Sequence, residues 1–102
     1  MFKQGHFVNA EIRIKDDVQI SDALAAIHQF CRDMNSEAGC SFAMALQDKQ
    51  DSRRIILWER YEDEAAAQRH FDEPHTQRFI HSGLTEFVQA TLCQLPVQEP
   101  AA

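Results

Sequence analysis

The sequence predicts an α+β domain in which a four-stranded antiparallel sheet carries helices on one face. Three observations support this: segments that alternate apolar and polar residues with period two, segments with apolar residues at helical spacing, and their order along the chain. From His6 to Ile14 the even positions Val8, Ala10, Ile12 and Ile14 are apolar while Phe7, Asn9, Glu11 and Arg13 alternate with them, which describes a strand with one core face. Ser21 offers an N-cap oxygen and Asp22 favours the positive end of a helix dipole. Leu24, Ile27, Cys31 and Met34 then recur at helical spacing, so a helix is expected over about 22–36, stopped by Gly39.

Cys40, Phe42, Met44 and Leu46 alternate with Ser41, Ala43, Ala45 and Gln47, giving a second strand, and the polar run 48–52 turns the chain into a third over 53–61. Asp63 can cap a second helix with the apolar stripe Ala66, Ala67, His70 and Phe71. Proline suits the first position of a helix but not its interior, so Pro74 breaks that helix near Glu73. A short helix is expected over 74–83, with Phe79 and Ile80 inward. A last strand is expected over 88–95, and the segment 98–102 reads as a frayed tail, leaving one domain over 1–97.

The order strand, helix, strand, strand, helix, strand is the ferredoxin-like βαββαβ arrangement. Its second sheet face would carry phenylalanines and an apolar row of the central hairpin, too much to leave in water. A homodimer packed sheet to sheet is therefore expected.

Composition narrows the function. With 44% hydrophobic and 25% charged residues in 102, the chain is an ordinary globular domain, and its longest apolar runs are five residues, far short of a membrane helix. The first fifteen residues carry Lys3, Glu11 and Arg13 without a continuous apolar stretch, so no secretory leader is expected. A net charge of −6 and scattered basic residues give no stripe to follow a phosphate backbone, and nucleic acid is not an expected partner. Cys31, Cys40 and Cys93 fit neither a disulfide framework nor a C-x-x-C site, which points to a reducing cytoplasm.

Glu37-Ala38-Gly39-Cys40 before strand two, Leu57-Trp58-Glu59-Arg60-Tyr61 along strand three, and Glu64-Ala65-Ala66 leading to His70-Phe71-Asp72-Glu73-Pro74-His75 resemble the antibiotic biosynthesis monooxygenase family across nearly the whole chain. The resemblance implies a dimeric α+β barrel with a small-molecule site between sheet and helices in each subunit. It also implies one of several activities: cofactor-free oxidation of quinols and polyketide phenols by molecular oxygen, isomerisation of a phosphorylated sugar-like signal, or haem breakdown in distant branches. The haem-degrading branch uses an Asn on strand one with a Trp and a His on the helical segment. Asn9 answers to the first, but His70 stands where the Trp would be and Ile80 where the His would be, so haem is not expected.

A cofactor-free oxygenase needs an apolar pocket, a base to remove a phenolic proton, and donors for the resulting oxyanion. His70 and His75 are the candidate bases, since imidazole is largely neutral yet protonatable near neutral pH. Five residues apart, they would diverge by about 140° on one continuous helix, and the break at Pro74 lets both reach one cavity. His81 is read as solvated and His28 as structural. Substrate contacts are expected from Trp58, as an aromatic wall with an N–H donor, and from Asn9 and Arg60 as partners of substrate oxygens. Phe42, Met44, Phe71 and Phe79 are expected to give the apolar lining. Glu59 faces away from Trp58 and is assigned to the dimer side or a structural role.

The histidine spacings match no usual zinc pattern and no nucleotide or flavin motif is present, so neither metal nor cofactor is expected. Two alternatives accompany the monooxygenase: an isomerase drawing on Arg60, Arg69 or Arg78 for a phosphate, and a dimeric binding module without chemistry. A cavity too small for a ligand would mark the module.

Overall fold

A computed structural model describes residues 2–97; the expected frayed tail over 98–102 lies outside them. The elements are β1 (His6–Ile14), α1 (Ile20–Asn35), β2 (Cys40–Gln47), β3 (Arg54–Tyr61), α2 (Glu64–Asp72), α3 (Pro74–Ile80) and β4 (Thr85–Cys93). All strand pairs are antiparallel and the sheet order is β2-β3-β1-β4, the ferredoxin-like arrangement that the element order predicts. No helix among the described residues is long and apolar enough to cross a membrane.

The core lies between one sheet face and the helices. On the sheet side it is built from Ile12, Ile14, Ile55, Leu57 and Tyr61, and α1 contributes Ala23, Ile27, Phe30, Cys31 and Met34 along a single stripe. Several boundaries differ from the sequence expectation: α3 ends at Ile80, not 83, β4 ends at Cys93, not 95, and the starts of α1 and β4 both lie earlier. Helix α1 begins at Ile20 with Gln19 as its N-cap, and Ser21 lies inside the first turn without capping it. Ile20 packs against the core, and that apolar contact draws the helix start back past the serine. Strand β4 starts at Thr85, not 88, because β1 stays extended to Ile14 and offers Thr85 a partner. A bulge at Val88 then restores the register beyond Phe87.

Asp63 caps α2 as expected, its side chain accepting from the Ala66 N–H at 2.8 Å. Glu73 is extended between the two short helices and Pro74 opens α3. Gly83, at φ 77°, then makes the left-handed turn into β4 that a Cβ would disfavour.

Among the described residues, no helix covers the far sheet face. Pairing aligns Asn9, Trp58 and Met44 in one cross-strand row and Phe7, Arg60 and Phe42 in the next. Trp58, Met44 and Leu46 are exposed there.

Candidate functional site

Between the helix-bearing face and the helices lies a cavity of about 480 Å³. Its floor is the inward row of the sheet, with Val8 and Ala10 from β1, Leu57, Glu59 and Tyr61 from β3, and Phe87, Ala90 and Leu92 from β4. Its wall is His70 and Phe71 from α2 and Thr76, Phe79 and Ile80 from α3, with Phe30 from α1. No lysine or arginine lines it among the described residues.

Two polar groupings interrupt this apolar lining. The first joins three elements that are distant in sequence. Glu37 lies in the turn after α1, where Asn35 fixes the chain: its side-chain amide donates to Cys31 O and Ala43 O and accepts from the Ala43 N–H, tying the helix end to β2. Gly39 continues the turn so close to α2 that a Cβ there would collide with Ala66 Cβ. The result brings Glu37 Oε2 to 2.8 Å from His70 Nδ1 and 2.6 Å from His75 Nε2. The side chains of Glu37 and His70 are 8% and 6% exposed and that of His75 15%, so the cluster is close to sealed.

A carboxylate only accepts, so each imidazole donates an N–H to it. In neutral His70 the proton therefore sits on Nδ1, and Nε2, which has no protein partner among the described residues, keeps its lone pair on the cavity-lining ring. Thr76 Oγ1 lies 3.2 Å from the same Nδ1. Around the ring stand Phe30, Tyr61 and Phe71, with centroids 5.4–5.8 Å away.

The second grouping is Glu59 with Tyr61, two apart on one row of β3. The Tyr61 hydroxyl donates to Glu59 Oε1 at 2.5 Å. Burial raises the Glu59 carboxyl above the ordinary range, with the Tyr61 hydrogen bond and the positive potential of His70 opposing it in part. Burial and the neighbouring Glu59 likewise push the Tyr61 phenol up, so it stays a donor.

Of the residues singled out from sequence, His70, Phe71 and Phe79 line the cavity; His75, expected to reach the same cavity, does not line it and is tied to His70 only through Glu37. Trp58, Asn9, Arg60, Phe42 and Met44 are on the opposite sheet face and do not reach it. Arg60 is already engaged: its guanidinium donates to Ser41 Oγ, Glu62 Oε1, Lys3 O and Gln4 O and lies over the rings of Phe2 and Phe7, holding the N-terminal segment to the sheet. Glu59, read from sequence as dimer-side or structural, lines the cavity, because the helices cover the row of Ile55, Leu57 and Tyr61 and not that of Trp58. His28 and His81 are exposed. Ile80 rims the cavity but stays half exposed. Sequence reasoning missed Glu37, Thr76 and Tyr61 as site residues. For Glu59 and Tyr61 the signal was present, as a carboxylate embedded in the more apolar of two alternating rows.

The antibiotic biosynthesis monooxygenase family model matches residues 5–82. The chain belongs to that family. The uncharacterised protein YjcS of Bacillus subtilis strain 168 is 30% identical over 81 residues, which are 79% of this chain and 77% of that one. A solved structure of YjcS superposes with a TM-score of 0.81 at 26% identity, covering 92% of this chain and 100% of that chain. PA3566 from Pseudomonas aeruginosa gives 0.76 at 22% identity, covering 95% and 97%. A crystal structure named antibiotic biosynthesis monooxygenase gives 0.75 at 19%, covering 92% and 99%. The last two likenesses concern the fold.

Proposed function

We propose that this family member is a cofactor-independent monooxygenase that oxidises a small aromatic, quinol-type substrate with molecular oxygen. The observation that carries the reading is the unpartnered Nε2 of His70 on the wall of an apolar cavity, with the opposite nitrogen held by buried Glu37. In this reading Nε2 removes a phenolic proton and Glu37 steadies the imidazolium that forms. The electron-rich anion then reduces oxygen. One oxygen atom enters the ring and the other leaves as water, so a quinol and O₂ give a hydroxyquinone and H₂O. Glu59, kept toward its neutral form by burial, supplies a hydrogen bond to the developing oxyanion, and the Tyr61 hydroxyl, which donates to Glu59 Oε1, holds that carboxyl in place.

The cavity volume falls within the roughly 300–1,000 Å³ of small-molecule sites, so it is not the too-small cavity that would mark a binding module without chemistry. The lack of any lysine or arginine in the described lining weighs against a phosphorylated substrate, as Arg60, Arg69 and Arg78 all lie outside it. A homodimer formed through the Trp58 face and a reducing cytoplasm belong to the same reading. The second is supported by three free cysteines, of which burial pushes the Cys31 and Cys40 thiols up to about 11 and about 12.

The test is oxygen consumption by chelator-treated protein against a panel of hydroquinones, with heat-denatured protein as the autoxidation control. Saturable consumption above the control is expected. Rates equal to the control across monocyclic and fused-ring quinols would overturn the assignment.

A further inference from the structure

Glu37, His70 and His75 present one carboxylate oxygen and two imidazole nitrogens, all within 4.8 Å of one another. We propose that this cluster binds a divalent transition-metal ion of the zinc type, and that occupancy converts His70 Nε2 from a hydrogen-bond acceptor into a donor. The proposal goes beyond the oxidation chemistry above and does not depend on it.

The donor set is two imidazoles and one carboxylate, a combination that suits zinc, cobalt, nickel and copper and does not suit calcium or magnesium, which take oxygen ligands. Three protein ligands leave a fourth position open, and Thr76 Oγ1, 3.2 Å from His70 Nδ1, stands beside it. The metal would replace the protons now shared between Glu37 and the two rings. Bonds of about 2.0 Å hold tetrahedral ligand atoms about 3.3 Å apart, so the present contacts of 2.8 and 2.6 Å must open by roughly half an ångström.

The structure provides for that opening at His75. This residue is in the first turn of the seven-residue α3, is the least buried of the three, and borders a second cavity of about 180 Å³ between α1 and α3. That cavity is lined also by Asp33, Gln29 and Ser82 and gives an ion a route to the cluster that avoids the larger apolar cavity. Its Arg78 is the one cation among its described lining residues.

The consequence for His70 follows from imidazole chemistry. An ion on Nδ1 occupies the lone pair of that nitrogen, and the remaining ring proton then sits on Nε2. A group that accepts a proton from the cavity would become one that donates into it. Metal would therefore silence a base at this position and leave the fold intact.

The experiment uses the full chain stripped with a chelator and titrated with Co²⁺, read by its visible d–d absorption, then back-titrated with Zn²⁺. One Co²⁺ per chain with an intense low-coordinate band, bleached by Zn²⁺, is expected. H75Q and E37A should weaken binding by about 100-fold or more, and H81A, outside the cluster, should leave it unchanged. Histidine side-chain ¹⁵N shifts of the unsubstituted protein supply a readout that needs no variant. His70 Nε2 should move from the unprotonated to the protonated range on adding Zn²⁺. Absence of saturable binding up to millimolar metal, or binding equal in H75Q, would overturn the site; binding without that shift would overturn the switch.

Discussion

His70 is held through Nδ1 by Oε2 of Glu37, 2.8 Å away, across 33 residues of sequence, and this contact decides which nitrogen of the ring is free. The relationship separates two roles. His70→Asn should cut quinol turnover by about 10²- to 10⁴-fold, the range for losing a general base. Glu37→Gln can offer an amide N–H to Nδ1 and so favour the other tautomer. It should lower kcat by roughly 100-fold with KM little changed, since the cavity wall is untouched. A rise in KM with kcat intact would assign both residues to binding instead. The measurement is oxygen uptake over a range of substrate concentrations, with circular dichroism as the check of fold.

Glu59 supplies a prediction in pH. Burial raises its carboxyl in the folded chain above the unfolded value, so the native state binds the proton more tightly. The cost of ionising it is absent below the unfolded pKa and grows as pH rises through the interval up to the folded pKa. Glu59→Gln stays neutral throughout and keeps an acceptor for the Tyr61 hydroxyl. Its melting temperature should exceed that of the unsubstituted protein at pH 8, and the difference should shrink as pH falls toward 4. A difference independent of pH would mean that Glu59 is not desolvated.

How far the site can be read from sequence is visible at β3. Period-two alternation yields both of its rows, Arg54, Ile56, Trp58, Arg60 and Ile55, Leu57, Glu59, Tyr61, but not which one the helices cover. A lone tryptophan is the more core-like marker, and it drew the expected pocket to the wrong face. Burial of the other row is a tertiary fact, set by where α1 and α2 pack. The element order and the bounds of β1 were legible because they follow from local pattern alone. So was the helix break at Pro74, which brings His75 beside His70. Glu37 was quoted only as part of a motif. It lies in a turn with no periodicity, and its position is set by the Asn35 clamp and the close approach of Gly39 to α2.

That close approach is itself testable. Gly39→Ala puts a methyl group against Ala66, and either the turn or α2 must move. Overpacking of this kind costs about 1–3 kcal/mol, measurable by urea denaturation. Because the turn carries Glu37 and α2 carries His70, turnover should fall as well. A variant as stable and active as the parent would show that the Glu37 to His70 contact tolerates displacement.

The uncovered sheet face gives the last expectation. Trp58 is 46% exposed with Met44 paired across from it, and Leu46 opens onto the same side. Leaving this row in water forgoes hydrophobic stabilisation that a second copy packed face to face would recover. Light scattering at micromolar concentration should give twice the 11.7 kDa of one chain. Trp58→Glu should shift the mass to that of a monomer, since a charge would have to be buried without a partner. The substitution is remote from the cavity, so oxygen uptake per chain in the monomeric variant tells whether one copy holds a complete site. Retained uptake assigns the dimer to stability; lost uptake assigns it a part in closing the cavity where Phe87 and Leu92 of β4 are exposed.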